Sequence, residues 1–552
     1  MNYSFVFRQL SACCLLLCAS TALCLPWSSP LCGGNWHNEV KGFFGLLGSM
    51  GVCFLFAVCF QQLSWFFGKN LNDTQRSFFA KKEAIAVVGL AWILATILGA
   101  LPFLFSGVQR AEGVPMSICD ALFESQSGFS TTGATVFKEL ERSDLLPRCI
   151  MFWRCITHFL GGLGIVVLFV ILLGYGTGTK KMLRSESSGF SNNIPKFSIR
   201  QLAKTVFWIY VSMNVVQTAI LVLLGVPLFD ALCHSFSTVS TGGFSTFNAG
   251  AGHFAAHGYT FASVIEWTFI IFMFLGGTSF ILLYYLFTGT PKHLLCDEEW
   301  RVYAGIIIIT SAVIFISGLI HKDFDNYGTA DIPVYSSNTA QAENGKKPAL
   351  ETIPWHKSFQ TAVFQVVSLT TTTGLCTDEY EKWSGLSCGI LLFLIFIGGC
   401  SGSTSGGFKI IRAICIGKAL PQEIELTYRP NVVRILFING KPIERDTVRQ
   451  VFVHFAVLAA VFVIGVMLIL AVEPSAAWGV NSVAGERKLI DASSAVLSCL
   501  INAGTGFGLI GARQHYGIFS DVSKFILTWL MLLGRLELFV VLAMFQPGFW
   551  KK

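Results

Sequence analysis

Charge is scarce in this chain of 552 residues: only 13% are Asp, Glu, Lys or Arg, while 53% are hydrophobic and 50 are Phe. An ordinary soluble domain carries about twice that share of charge, and a mean hydropathy of +0.62 excludes one here. The phosphate-cradling pattern Gly-x-x-x-x-Gly-Lys-Ser/Thr is missing, and no polar segment is long enough to house a nucleotide-binding domain. The seventeen cysteines lack metal-ligand spacing; most, such as Cys13, Cys14, Cys53, Cys59, Cys388 and Cys415, lie in apolar runs and read as packing groups. Cys24 and Cys32 could pair outside the membrane. Titratable groups inside the apolar runs are few, chiefly His158, Arg535 and Glu537, too few for a membrane-embedded enzyme. No catalytic residue is expected. The net charge of +7 implies no nucleic-acid partner.

What the chain has is apolar length. Runs able to cross a bilayer, which takes about 20 residues, lie near 4–25, 42–67, 84–107, 150–174, 203–228, 261–287, 302–320, 386–415, 449–472 and 523–546. An all-α polytopic membrane protein of about ten transmembrane helices follows. The first run, with Arg8 ahead of it, alternatively reads as a cleaved signal peptide. Basic residues gather after the second, fourth, sixth and eighth runs, for instance Lys81 and Lys82, Lys180 and Lys181, Lys292 and Arg301, and Lys409 to Arg445. By the positive-inside rule these linkers and both termini are cytoplasmic. The opposite linkers are acidic, with Glu112, Glu139, Glu141, Asp144, Asp378, Glu379 and Glu381 among others. Such a vestibule would concentrate cations.

One short segment is written more than once. Residues 120–137 and 230–247 match at nine of eighteen positions without a gap, Gly133 and Gly243 standing 110 residues apart. A third copy runs from Phe364 to Gly374 and a fourth from Ser498 to Gly504, with Gly506 an alternative end for the last. All four fall on the external side, each between an outgoing and a returning helix. Non-helical backbone at membrane depth survives only where protein buries it or water lines it. Each copy begins as a helix, for example Ile118 to Phe129, whose carboxyl end favours a nearby cation. The Thr131-Thr132-Gly133 segment that follows can present successive carbonyl oxygens, glycine supplying positive φ without steric cost. Four such segments around an axis make a selectivity filter. The plainer alternative, that Ser, Thr and Gly only help helices pack, suits one copy better than four.

These features resemble the Trk/Ktr/HKT superfamily of potassium transporters, and most closely its bacterial TrkH-type members, over nearly the whole chain. The resemblance rests on the filter loops Thr131-Thr132-Gly133-Ala134, Thr241-Gly242-Gly243-Phe244, Thr372-Thr373-Gly374-Leu375 and Asn502-Ala503-Gly504-Thr505, and on two extra N-terminal helices. Glycine at all four filter positions is similar to the potassium-selective pattern. The resemblance implies four pseudo-symmetric helix–re-entrant loop–helix repeats around a central pore: residues 1–83 hold the extra helices, and 84–180, 181–295, 296–430 and 431–552 the repeats. Potassium would bind at Thr131, Thr132, Gly133, Thr241, Gly242, Gly243, Thr372, Thr373, Gly374, Asn502, Ala503 and Gly504.

Two more features match that family. The segment Gly398-Gly399-Cys400-Ser401-Gly402-Ser403-Thr404-Ser405-Gly406-Gly407 interrupts the run 386–415, and its glycines cost up to about 1 kcal/mol each in a helix. In the family this is an intramembrane gating loop; a tight helix crossing is the alternative. Arg535 lies about ten residues from either end of the run Phe525 to Phe545, where a charge costs roughly 2.5–3.5 kcal/mol. The family places such an arginine in the pore as a barrier to cations; pairing with an internal carboxylate would make it structural. Arg154 and His158 share a helix face and are expected near the external interface as packing residues, and Glu124 and His234 as pore-helix support.

The function implied is potassium uptake through a gated pore in the cell inner membrane, as the membrane subunit of a Trk-type system. The resemblance further implies a homodimer and a cytoplasmic, nucleotide-binding TrkA-type regulatory subunit, with the basic segment 409–449 a plausible docking surface. No cofactor is bound covalently; potassium occupies the pore, and nucleotide acts only through the partner. A proton- or sodium-coupled symporter with alternating access is the alternative within transport, although such folds usually carry inverted repeats.

Overall fold

The structure, a computed structural model, describes residues 1–30, 36–69, 81–164, 199–324, 354–432, 434–474, 485–536 and 538–550. Helices α1 (Tyr3–Ala22) and α2 (Trp36–Gly68) form an N-terminal pair. Asn2 caps α1 by accepting from Phe5 N at 3.1 Å. Small residues let the pair approach closely, with Ser11 Oγ donating to Ala57 O at 2.8 Å.

Next, one order of elements recurs four times. A long helix is followed by a short one, a loop, and a returning apolar helix. The sets are α3 (Lys81–Phe105), α4 (Ile118–Phe129) and α5 (Arg148–Leu163); α6 (Ile199–Leu223), α7 (Leu228–Val239) and α8 (Ala262–Gly276) with α9 (Phe280–Phe287); α10 (Glu298–His321), α11 (Trp355–Thr370) and α12 (Gly385–Ile397) with α13 (Ile410–Tyr428); α14 (Arg445–Val472), α15 (Gly485–Ile501) and α16 (Asp521–Arg535) with α17 (Phe539–Met544). Side chains start several of them: Ser117 and Asp120 close a capping box on α4, and Asp297 and Ser520 cap α10 and α16. Strands β1 (Gln109–Ala111) and β2 (Val114–Pro115) pair ahead of α4, and β3 (Leu436–Ile438) and β4 (Lys441–Ile443) form a hairpin between α13 and α14. At the tip of that hairpin Asn439 and Gly440 have φ of 51° and 70°, as a two-residue turn of this hand requires.

Among the described residues, six helices are long and apolar enough to cross a membrane, or seven if α8 and α9 count as one bent span. They are α1, α2, α3, α6, α10 and α14. α2 exposes Phe54, Leu55, Trp65 and Phe66, and α14 exposes Val463, Ile464, Met467 and Leu468. Apolar surface on that scale needs lipid against it.

Of the remaining four apolar runs, 386–415 breaks between α12 and α13 where its glycine-rich segment is expected to interrupt it, and the other three depart from the expectation of continuous helices. α5 stops at Leu163 with Gly164 at φ 74°, and residues 165–174 of that run lie outside the described residues, as do Lys180, Lys181, Glu537 and most of the external insert 321–356. The run 261–287 bends by 110° between α8 and α9, and 523–546 breaks at Leu538, which has φ 54°. The cause of the bend after α8 is tertiary: the carbonyls of Gly276 and Gly277 accept from Thr404 N and Cys400 N at 3.2 and 2.9 Å. Cys24 is a buried free thiol and Cys32 lies outside the described residues.

Candidate functional site

Each short helix ends in the same way. Ser127 O accepts from Thr132 N, Ser237 O from Gly242 N, Ser368 O from Thr373 N and Ser498 O from Ala503 N, at 2.9, 2.8, 2.8 and 2.9 Å. One residue earlier, Thr131, Thr241, Thr372 and Asn502 sit at φ 52°, 54°, 55° and 60°. This is a left-handed helix cap that satisfies otherwise orphaned carbonyls, built on residues that adopt the conformation reluctantly. Two residues on, Gly133, Gly243, Gly374 and Gly504 have φ of 84°, 84°, 76° and 78°. The corresponding helices of the third and fourth sets start earlier than the repeated segment, at Trp355 and Gly485.

The four segments close on one another. A Cβ on Gly133 would overlap Gly242 O, one on Gly243 would overlap Thr373 O, one on Gly374 Ala503 O, and one on Gly504 Thr132 O. The order first to second to third to fourth to first is a ring, with a backbone carbonyl at each seam. Gly504 completes it. Gly506 has no positive φ, and its Cβ would meet Ser494 instead. A cavity of about 90 Å³ borders all four glycines on one side. Another of about 180 Å³, lined by Asn502, Gly406, Lys409, Arg412, His454 and Arg535, lies beyond the glycine-rich loop.

Behind the ring stand buried struts. Glu124 accepts from Thr135 Oγ1 and Val136 N, both at 3.0 Å, and pairs with Arg154 Nε at 2.5 Å. At the matching position of the second copy, His234 Nε2 meets Ser245 Oγ at 3.1 Å. In the third, the Gln365 amide oxygen, turned toward its loop, accepts from Thr377 N and Asp378 N at 3.0 and 3.2 Å. Each strut fixes the chain just after its glycine. The fourth copy has Ala495 there, and Ser494 Oγ accepts from Phe507 N at 2.7 Å instead. Arg154 donates to Ser245 O at 2.9 Å and lies 3.5 Å from the Phe244 ring centroid, with the His158 ring stacked on Phe244 at 3.9 Å. Arg154 and His158 are therefore buried against the ring itself, packing and hydrogen-bonding there, with Arg154 also lining the cavity of about 90 Å³. Their fourfold spacing hinted at a shared face, but nothing in sequence indicated which face met the ring. Gln365 was legible as the counterpart of Glu124 and went unread.

The glycine-rich segment 398–409 lies beneath this ring and is bonded to three of its four parts. Gly406 N donates to Thr372 Oγ1 at 2.7 Å, Gly407 N to Ile501 O at 2.9 Å, and Thr404 Oγ1 to Val239 O at 3.0 Å. Gly398, Gly402 and Gly407 have positive φ, as does Lys409 at 73°; Gly399, Ser401 and Ser403 complete the loop. Arg535 ends α16 rather than standing mid-helix. Its Nη1 donates to Thr404 O at 3.0 Å and its Nη2 to Gly161 O at 2.9 Å. It thus bridges the loop and α5 at the wall of the larger cavity. Among the described residues no group of three or more His, Cys, Asp or Glu could hold a metal ion.

Residues 52–552 match the family described as TrkH, cation transport protein. The chain is 33% identical over 488 residues to the Trk system potassium uptake protein TrkH of Escherichia coli K12, covering 87% of this chain and 88% of that one. It is 28% identical over 507 residues to the TrkG protein of the same strain, covering 91% of each. The crystal structure of the potassium transporter TrkH from Vibrio parahaemolyticus superposes with a TM-score of 0.76 at 27% identity, covering all of both chains.

Proposed function

The chain belongs to the TrkH family of cation transport proteins, and from that premise we propose that it takes up potassium as a gated single-chain pore. Potassium uptake by the membrane subunit of a Trk-type system is the activity named for its relatives, and the protein is a multi-pass membrane transporter rather than an enzyme. The observation that carries the pore reading is the closed ring of four glycine segments with a cavity on either side.

In this mechanism the four helix–loop–helix units within 84–180, 181–295, 296–430 and 431–552 surround one path. A potassium ion sheds part of its hydration shell and is met by the carbonyl oxygens of Thr132, Gly242, Thr373 and Ala503 and their neighbours in the filter. The four helix ends add favourable partial charge. The segment from Gly398 to Gly407 closes the path below, and Arg535 both bonds that segment and raises the electrostatic barrier. The loop opens when its bonds to Thr372, Ile501 and Val239 give way together. By the charge rule the ring faces outward and the termini face the cytoplasm of a cell inner membrane. The chain works as a homodimer with a cytoplasmic nucleotide-binding partner docked on the basic segment 409–449, and needs no cofactor of its own.

Isotopic potassium and sodium flux into liposomes holding the purified protein tests this. Gly243→Ser should abolish the preference for potassium, because its Cβ cannot coexist with Thr373 O. Arg535→Ala should raise flux. Wild-type flux of neither ion with the partner present, or two variants indistinguishable from wild type, would overturn the proposal.

A further inference from the structure

Glu299 stands in the first turn of α10, far from the ring in sequence and 8% exposed. It does not cap its own helix, since Asp297 does so by accepting from Trp300 N at 2.9 Å. Its oxygen Oε1 instead accepts from Ser401 N at 2.6 Å and from Ile411 N at 3.3 Å. Ser401 lies within the first half of the glycine-rich loop, and Ile411 belongs to the start of α13, just past its end. A single carboxylate oxygen therefore fastens the loop to the helix that follows it. The amino end of α10 favours an acceptor at this position, and a buried N–H left without one costs more than the bond itself is worth.

The start of α10 is itself held from the hairpin. Asn439 Oδ1 accepts from Glu298 N at 2.6 Å, Asn439 N donates to Glu298 Oε2 at 3.2 Å, and Asn439 Nδ2 donates to Asp297 Oδ2 at 2.8 Å. Glu298 also pairs with Lys418 of α13. The turn is conformationally fixed by its left-handed Asn-Gly pair. An unbroken series of bonds leads from the surface turn at Asn439, through Asp297 and Glu298, to Glu299 and the loop.

We infer that Glu299 is the positioning residue that holds the glycine-rich loop across the pore, and that the Asn439 turn sets where Glu299 stands. This rests on the reading of the loop as a gate. Displacing the turn shifts the first residues of α10 and loosens the bonds to Ser401 and Ile411 together, so the hairpin is a lever on the loop.

Basal potassium flux through the full-length protein in liposomes tests the inference. Glu299→Ala should raise it about tenfold, the loss of two hydrogen bonds to buried N–H groups being of that size. Glu299→Gln keeps the shape and a weaker acceptor, so it should raise flux less, and it carries the test if the alanine variant does not fold. Potassium-over-sodium preference should stay at the wild-type value in both, because no ring residue is touched. Asn439→Ala should raise flux in the same direction, and the double variant no further than Glu299→Ala alone, as expected of two residues acting in series. Deleting Gly402 and Ser403 tests the gate separately. Higher flux in the deletion with unchanged flux in both Glu299 variants would reject the role of Glu299 and leave the gate standing. Unchanged flux in the deletion as well would reject the gate, and the inference with it. A fall in flux with altered ion preference would reduce Glu299 to a structural group and also reject the inference.

Discussion

Threonine pays heavily for a left-handed backbone, yet Thr131, Thr241 and Thr372 all adopt one. Their branched Cβ crowds the carbonyl in this region at about 1–2 kcal/mol per residue, a penalty tolerated mainly where function over-determines the conformation. Two of the three hydroxyls are used: Thr372 Oγ1 accepts from Gly406 N, and Thr241 Oγ1 donates to Ser240 O at 2.7 Å. Thr131 Oγ1 is buried without a hydrogen-bond partner among the described residues. The fourth copy places Asn502 at the equivalent point, and asparagine accepts this conformation more readily. Thr131→Asn is therefore expected to raise thermal stability by about 1 kcal/mol while keeping potassium preference, measured by thermal unfolding in detergent alongside flux. At the four ring glycines the repeat in the sequence marked the positions, and the structure shows at each a neighbouring carbonyl that only glycine admits so close. The repeat could not choose between Gly504 and Gly506, since the choice depends on which of them faces Thr132 O.

The short helices and their returning loops form one element type, and each element depends on its strut. Glu124 and Arg154 are 0% and 1% exposed, joined at 2.5 Å. Removing one partner of such a pair costs about 3–5 kcal/mol because a charge is left buried. Glu124→Ala should accordingly cut the yield of monodisperse protein and lower its unfolding temperature far more than Glu124→Gln, which keeps an acceptor for Val136 N; equal losses would show that the pair matters little. The element boundaries divide in the same way between local and distant causes. α4 spans Ile118 to Phe129 as its sequence places it, because the Ser117–Asp120 capping box fixes its start and the following Thr-Gly segment its end, and both are local signals. The bends after Gly276 and Arg535 lie inside continuous apolar runs, the first at the pair Gly276-Gly277. There loop donors reach the freed carbonyls, and Arg535 finds partners on the loop and on α5, which no hydropathy window registers.

Closing the molecule joins residues some 400 positions apart. Lys524 on α16 pairs with Asp120 on α4, both 1% exposed. Around them Ser117 Oγ donates to Asp521 Oδ1 at 3.0 Å, Tyr516 N to Thr135 O at 2.7 Å and Asn502 Nδ2 to Thr132 Oγ1 at 2.9 Å. This seam between the first and fourth sets completes the ring. Asp120→Asn alone should destabilise the protein by about 3 kcal/mol, leaving Lys524 short of its buried partner, and adding Lys524→Met should recover part of that loss. Thermal unfolding of the two variants decides it; equal or additive losses would place the stabilisation of the seam elsewhere. The sequence by itself determined that this is a membrane protein with a fourfold repeated glycine loop, one interrupted helix and one isolated arginine, because hydropathy, glycine and charge act locally. Only the tertiary structure decided that the other returning helices break, that Arg154 and His158 back the ring, and that Glu299 reaches the loop. Those facts depend on which donors and acceptors meet across hundreds of residues, and that is set by how the four units close on one another.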